Sequence, residues 1–396
     1  MENHPITSLS KKILVFSPFY PPHIGGLESH SDEFNEYLSR EGVLISVFTP
    51  HLPENTPMEE LQYDNVNILR FPSVELMHNY PVPKFWRTDF WKMWHSLSEI
   101  DYDLVISRTR FFFPSLMALW YAKKQGIPLL HIEHGSGFAP FKSKMKTTLG
   151  KIYDYTLGRS VLRSADFLVA NSQASADFVR KISGRTDCQV IYRGANGDEI
   201  EEIQPSSAIK NQFSGKTIVT FIGRLTAAKG ADVLITAIAE LNRNDIVTLI
   251  IGSGPEENNL KKIASDNHVE DQVIFFGNLP YREAISILKT TNIAVNPSYM
   301  EGLPTSVTEA ALCGKAIIAT NVGGTPEVIS GINDGYLIEP RNIEQLKEKL
   351  TDLIDHPEKR LFFGQNAYQE VKKKFDWNES AKKYLAVFQK LLDNRE

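Results

Sequence analysis

The 396-residue sequence predicts an α/β fold built from two doubly wound domains. Short apolar runs alternate with segments of helical period, the pattern of parallel strands covered on both faces. That series occurs twice, once from Lys12 and again from Ile218. Between them, Glu199 to Ser214 is polar, carries Pro205 followed by Ser206 and Ser207, and reads as an interdomain linker. A chain of this length is comfortable for two domains and long for one.

In the first half the strand-like runs are Ile13–Phe16, Val43–Phe48, Leu104–Ile106, Pro128–Ile132 and Phe167–Ala170. Helical segments follow several of them, at Leu27–Arg40, Pro114–Lys124 and Gln173–Ile182. Ligands of such sheets bind outside the carboxyl ends of the strands, which singles out the loops after Phe16, Ile132 and Ala170. The first of these runs through Pro21-Pro22-His23-Ile24 to Gly25-Gly26, and a glycine pair lets a backbone approach a ligand closely. It lacks the Gly-x-Gly-x-x-Gly spacing, so a nicotinamide dinucleotide is disfavoured. The second carries Glu133-His134-Gly135-Ser136-Gly137.

In the second half the runs are Ile218–Ile222, Val247–Ile251, Val273–Phe276, Ile293–Val295 and Ala316–Ala319. Val233, Leu234, Ala237, Ile238 and Leu241 fall on one face of an intervening helix. Directly after the first strand stand Arg224 and Lys229, a planar fork and a point charge that suit a diphosphate. Gly252-Ser253-Gly254-Pro255 follows the second strand as a glycine turn with Pro at a helix start. After Ile293-Ala294-Val295 the chain reads Pro297 to Ala310, with Glu301-Gly302-Leu303-Pro304-Thr305 turning into a helix. The first amides of a helix have no intrahelical partner, and with the helix dipole they make an anion site. Glu301 precedes the turn and Glu309 lies one helical turn beyond Thr305, where carboxylates accept hydrogen bonds from hydroxyls. A phosphate on the helix end with a sugar on either side would satisfy the segment. The last stretch, Asn378–Leu392, is helical with an apolar stripe of Ala381, Tyr384, Leu385, Phe388 and Leu391.

The formal charge of −5, from 43 Lys and Arg against 48 Asp and Glu, gives no global reason to expect nucleic acid as a partner. Cys188 and Cys313 stand far apart without metal-ligand spacing, so neither a disulfide framework nor a zinc site is indicated. Asp101-Tyr102-Asp103 precedes a strand and reads as turn chemistry, and no metal is expected. Met1–Thr7 is polar and lacks a signal-peptide core, and no run approaches the ~20 apolar residues of a membrane span, so a cytoplasmic protein is expected. Two segments, 84–95 and 138–151, are aromatic and basic. They read either as surfaces for an anionic bilayer or as a helix pair with buried aromatics and a solvated lysine face.

Glu301, seven residues and Glu309 resemble the donor-sugar signature of the family-4 glycosyltransferases, of bacterial polysaccharide and glycolipid type. The resemblance covers nearly the whole chain and is densest from Gly223 to Gly335, including Val322-Gly323-Gly324-Thr325-Pro326-Glu327. It implies the GT-B fold, two Rossmann-like doubly wound domains facing each other across a cleft. Residues 1–200 would form an acceptor domain joined by a C-terminal helix at 377–396, and 201–376 the nucleotide-sugar donor domain. It also implies that Gly25, Gly26, Gly252, Gly254, Gly302, Leu303, Pro304 and Thr305 line the donor, with Glu309 on the ribose diol. Arg224 and Lys229 would stabilise the leaving diphosphate, Glu301 would hold sugar hydroxyls, and His134 would stand near the transferred sugar. The reaction implied is a retaining, metal-independent transfer from a donor of UDP or GDP type, without cofactor, to a glycan or lipid-linked acceptor. The loop Phe276-Gly277-Asn278-Leu279 would hold the base through backbone atoms, which leaves its identity unreadable. The place implied is the cytoplasm, and the inner face of the plasma membrane where the basic aromatic segments meet lipid. A sugar-nucleotide epimerase of similar fold and a non-catalytic sugar-nucleotide-binding protein remain as alternatives.

Overall fold

The computed structural model describes residues 11–23, 25–77, 80–139 and 143–393. The polar start Met1–Thr7, the end of helix 377–396 beyond residue 393, and Phe141 and Lys142 of the second basic segment lie outside the described residues. The chain forms two compact units: unit 1 is Met1–Arg193 with Trp377–Glu396, and unit 2 is Gly194–Asp376. No described helix is long and apolar enough to cross a membrane.

Unit 1 opens with β1 (Lys12–Phe16), α1 (Gly26–Arg40), β2 (Leu44–Pro50), β3 (Glu59–Gln62) and β4 (Val66–Phe71). A hairpin of β5 (Ser73–Met77) and β6 (Tyr80–Pro83) leads to α2 (Thr88–Ser96), β7 (Leu104–Arg108) and α3 (Phe113–Gln125). Then come β8 (Leu129–Glu133), α4 (Lys144–Tyr153), a π-helical turn at Asp154–Gly158, α5 (Arg159–Ser164), β9 (Phe167–Ala170), α6 (Gln173–Ser183) and β10 (Gln189–Val190). Unit 2 starts with α7 (Gly197–Glu202) and α8 (Ser207–Gln212), then β11 (Thr217–Ile222), α9 (Ala231–Leu241), β12 (Ile246–Ile251), α10 (Glu257–Asp266) and β13 (Val273–Gly277). It continues through α11 (Tyr281–Leu288), β14 (Ile293–Asn296), α12 (Thr305–Leu312), β15 (Ala316–Thr320), α13 (Thr325–Val328) and β16 (Tyr336–Ile338). It closes with α14 (Ile343–Asp355) and α15 (Pro357–Lys374), after which α16 (Trp377–Asp393) belongs to unit 1.

The sheet of unit 1 has the order β10-β9-β8-β7-β1-β2-β4-β3, parallel throughout except for β3 against β4. Its central strand is apolar on both faces because both are covered. Leu14 and Phe16 pack with Trp94, Tyr121 and Phe178 of α2, α3 and α6. Ile13 and Val15 pack with Phe34 of α1 and with Tyr384 and Phe388 of α16. The sheet of unit 2 is fully parallel, in the order β13-β12-β11-β14-β15-β16. Val219 and Phe221 meet Val233, Leu234 and Ile238 of α9 on one face, and Ile218 meets Ile209 and Ile287 on the other.

Two features depart from the sequence reading. Residues 199–214 are not a linker but form most of α7 and all of α8, both in unit 2, and the unit begins at Gly194. Each helix has a polar side-chain cap: Asn196, just before the stretch, accepts the Glu199 N–H and Ser206 the Ile209 N–H, while Ile209 is buried. The antiparallel edge strand β3 and the β5–β6 hairpin were not anticipated either, since their burial pattern is weak. Of the two basic aromatic segments, 84–95 places Phe90 and Trp94 in the core. Asp103 exchanges hydrogen bonds with the Lys12 backbone, its Oδ2 accepting the N–H at 2.8 Å and its own N–H reaching the carbonyl at 2.8 Å.

Candidate functional site

In unit 2, five sequence-predicted loops sit at the carboxyl ends of β11 to β15. Gly230 has φ +66° and a Cβ there would stand 2.1 Å from the Pro297 carbonyl oxygen, so only glycine lets the loop after β11 lie on the loop after β14. The Tyr299 N–H donates to Ala228 O at 2.7 Å and locks the same contact. This seating brings Lys229 Nζ to 2.6 Å from Glu301 Oε1. Glu301 is 7% exposed, and Asn296, the last residue of β14, donates to it at 3.4 Å and to Ser306 Oγ at 3.0 Å. Gly302 O accepts the Gly324 N–H at 2.9 Å, which fixes the turn before α12. Helix α12 begins on buried Pro304 with no side-chain cap, so its first-turn amides and dipole are aimed out of its end.

The second layer of this site is laced through the backbone. Gly252, at φ +128°, passes so close to Gly223 that a Cβ would be 2.0 Å from its carbonyl oxygen. Its N–H donates to Gly277 O at 2.7 Å, and the Leu225 N–H donates to Ser253 O at 2.9 Å. Gly223-Arg224-Leu225, Gly252-Ser253-Gly254 and Gly277 therefore form one surface. Arg224 is half-buried on it and has no ion-pair partner among the described residues. Gly302, Leu303, Thr305 and Glu309 are half-buried. A cation at Arg224, a Lys–Glu pair and an open helix end suit a ligand with phosphates and hydroxyls.

In unit 1, β8 delivers Glu133 and His134. The Glu133 carboxylate is buried under its own loop and accepts the N–H groups of His134 at 3.0 Å and Gly135 at 2.8 Å. Arg110 meets it at 3.0 Å, reaches Asp154 at 3.1 Å, and donates to Gly137 O at 3.0 Å. Burial raises the Glu133 carboxyl, but Arg110 and His131 outweigh it and hold it far below the usual carboxylate range. Burial pushes Asp154 up to about 6 despite the same arginine. The His134 ring stands edge-on to His30 with centroids 4.7 Å apart, and Arg108 Nη1 lies 2.8 Å from His30 Nδ1. Burial and the Arg108 charge push His134 down to about 3, so it is neutral at physiological pH, and its buried Nε2 has no hydrogen-bond partner among the described residues.

Gly25 and Gly26 stand at the start of α1, where Gly25 O accepts the Ser29 N–H at 3.1 Å and Gly26 O accepts from Arg193 at 3.2 Å. The same loop holds a pair absent from the sequence reading: His23 Nδ1 bonds Glu28 Oε1, with the imidazole stacked on Phe19 at 4.5 Å. Asn296, Arg110 and Glu133 were likewise missed as members of these sites. Among the described residues no group of three or more His, Cys, Asp or Glu could hold a metal ion.

Residues 24–199 match the family described as Glycosyltransferase Family 4, and residues 202–370 match Glycosyl transferases group 1. An uncharacterized glycosyltransferase of Methanocaldococcus jannaschii is 35% identical over 96% of this chain and 99% of its own length. A GDP-mannose-dependent monoacylated alpha-(1-6)-phosphatidylinositol monomannoside mannosyltransferase of Corynebacterium glutamicum is 25% identical over 96% and 99%. Among solved structures, Anabaena HepE in complex with UDP-glucose superposes with a TM-score of 0.78 at 18% identity, covering 96% of this chain and 99% of that one. With both units matched and a relative aligned along its whole length, the chain belongs to the family-4 glycosyltransferases and has their GT-B fold, two Rossmann-like α/β domains.

Proposed function

We propose that this glycosyltransferase moves a sugar from a nucleoside-diphosphate sugar of UDP or GDP type to a hydroxyl of a glycan or lipid-linked acceptor, with retention and without a metal ion. The observation that carries the reading is the Lys229–Glu301–Asn296 cluster beside the uncapped start of α12. Arg224, Lys229 and the α12 amides would stabilise the diphosphate as the bond from the anomeric carbon to phosphate oxygen breaks. Glu301 would hold sugar hydroxyls and Glu309 the ribose diol. Neutral His134 would donate to a sugar hydroxyl. The new bond forms from the acceptor oxygen to the anomeric carbon, and the acceptor proton leaves on the diphosphate, so no protein base is required. The names of two similar proteins, one GDP-mannose-dependent and one holding UDP-glucose, support either base. The work would be done in the cytoplasm at the inner face of the membrane, through segment 138–151, since segment 84–95 places Phe90 and Trp94 in the core.

Thermal stabilisation by UDP, GDP, ADP and CMP, and then by sugar conjugates of the winner, tests the donor. Saturation at 100 times the dissociation constant adds about 2.7 kcal/mol to a native-only site. One nucleotide is expected to stabilise, less so in Glu309→Ala; no stabilisation by any of them would overturn the reading. Product anomeric configuration by NMR, with and without a chelator, decides retention and metal independence.

A further inference from the structure

The loop after β1 holds an imidazole–carboxylate pair that the proposed reaction does not use. His23 Nδ1 bonds Glu28 Oε1. A carboxylate has no hydrogen to give, so Nδ1 carries the hydrogen and Nε2 of the neutral ring keeps a lone pair. The ring is fixed from several sides. Its face is stacked on buried Phe19 with centroids 4.5 Å apart, and Phe19 O accepts from Ser17 Oγ at 2.7 Å. The His23 N–H donates to Tyr20 O at 3.2 Å, and buried Arg70 donates to Pro21 O at 2.9 Å. Glu28 is 4% exposed and lies in the first turn of α1, where a carboxylate suits the helix dipole. Gly25 gives it room: a Cβ there would stand 2.5 Å from Glu28 Oε2. Its φ of 170° is extended and open to any residue, so the carboxylate rather than the backbone is what asks for glycine.

The His23 side chain nonetheless keeps 19% of its surface exposed, and its Nε2 has no hydrogen-bond partner among the described residues. His30 and His131, by contrast, are fully buried. A lone pair held in place at the carboxyl end of a parallel sheet suits a ligand hydroxyl. Arg224, Lys229, Glu301 and Glu309, the donor-side groups, all lie in unit 2, whereas this pair lies in unit 1. In the proposed reaction the reacting hydroxyl gives its proton to the diphosphate, so a hydroxyl received at His23 is a second one on the same acceptor. A saccharide offers such a hydroxyl and a simple alcohol does not. Phe112, half-buried and edge-on to Phe19 at 5.3 Å, adds an apolar ring nearby, and a few polar atoms among rings is the make-up of a small-molecule site.

We propose that His23, oriented by Glu28, sets acceptor specificity: its Nε2 accepts a hydrogen bond from a non-reacting hydroxyl of a saccharide acceptor. The proposal rests on the transferase reading above. Its first test does not use transfer. The full-length protein is treated with diethyl pyrocarbonate, alone and with an excess of the methyl α- and β-glycosides of glucose, galactose, mannose and N-acetylglucosamine, and modified histidines are mapped by peptide mass spectrometry. His23 is expected to react while buried His30 and His131 do not. At least one glycoside is expected to slow the reaction of His23 severalfold and to leave that of exposed His356 unchanged. An inert His23, or one that no glycoside protects, would overturn the proposal. Transfer kinetics with the protecting glycoside as acceptor then separate binding from chemistry. His23→Ala is expected to raise its KM about tenfold with kcat within about twofold. His23→Gln, whose amide oxygen can accept in place of Nε2, is expected to recover most of that loss. A fall in kcat at unchanged KM would make His23 a base and overturn the specificity role. Weaker nucleotide stabilisation in His23→Ala would place it on the donor, and a glycoside that protects but receives no sugar from the stabilising donor would remove the acceptor role. Failure of the donor reading shows instead as absent nucleotide stabilisation in the wild type, a readout that the histidine mapping does not share.

Discussion

His134 owes its neutrality first to burial, which punishes the charged form, and then to the Arg108 charge beside it. Its proton affinity is depressed from the ordinary histidine value to about 3, so between those two values the unfolded chain binds a proton that the folded chain does not. Stability therefore falls as pH is lowered through that window, by up to about 1.4 kcal/mol per pH unit for one site. His134→Gln is expected to show a shallower loss of melting temperature from pH 6.5 to 4 than the wild type; equal slopes would refute it. Asp154 acts in the opposite sense. Its folded value is raised to about 6, so its contribution is full below the ordinary aspartate value and is lost as pH rises through the folded value. Only the difference between variant and wild type isolates the histidine. This scale is also where the sequence was least legible. Lys229 and Glu301 stood out because each lies in a short motif after a strand. Glu133 and Asp154 could not be joined to Arg110 from spacing, because these partners lie 23 and 44 residues away on different elements.

At the scale of elements, the donor-side loops are held by the closeness of their backbones more than by side chains. Gly230→Ala must place a left-handed alanine and a methyl 2.1 Å from the Pro297 carbonyl. A loss of about 2–4 kcal/mol in urea unfolding is expected, with weaker stabilisation by the preferred nucleotide because Lys229 is displaced from Glu301. Gly215→Ala supplies the control: it has φ +80° but nothing within 4 Å of the added carbon, and is expected to lose only about 1 kcal/mol. Equal losses at the two positions would mean that loop-on-loop contact is not what requires Gly230. The glycines after β11 and β12 were legible as turn residues, whereas the carbonyls they pass against were not. The misreading of 199–214 has a similar cause, since serine, asparagine and proline mark a loop and a helix start alike, and burial of Ile209 decides between them.

The whole chain is two cores, and α16 breaks their colinearity. The strand series of both units was legible from apolar period, because parallel strands covered on both faces are apolar throughout. The stripe on α16 was legible as well, but the face it covers was not. That face is the packing of Tyr384 on Phe34 with ring centroids 4.8 Å apart, together with a hydrogen bond of 2.8 Å from Trp377 Nε1 to Glu33. Unit 1 thus needs a segment that follows unit 2 in sequence, whereas every described strand of unit 2 and the apolar clusters on the two faces of its β11 come from Gly194–Asp376 alone. The fragment 194–376 is therefore expected to fold by itself, with a cooperative thermal transition and native far-UV circular dichroism. Because Arg224, Lys229, Glu301, Glu309 and the start of α12 all lie in it, it should keep the nucleotide preference of the full chain. Fragment 1–376 should behave differently: without α16 it exposes Phe34 and Ile13, and its unit 1 is expected to melt well below that of the full chain while unit 2 melts unchanged. A 194–376 fragment that folds but ignores the nucleotide stabilising the whole protein would show that binding needs groups from unit 1, and would move the donor assignment off the residues named here. A fragment that fails to fold would show that the core of unit 2 does not suffice.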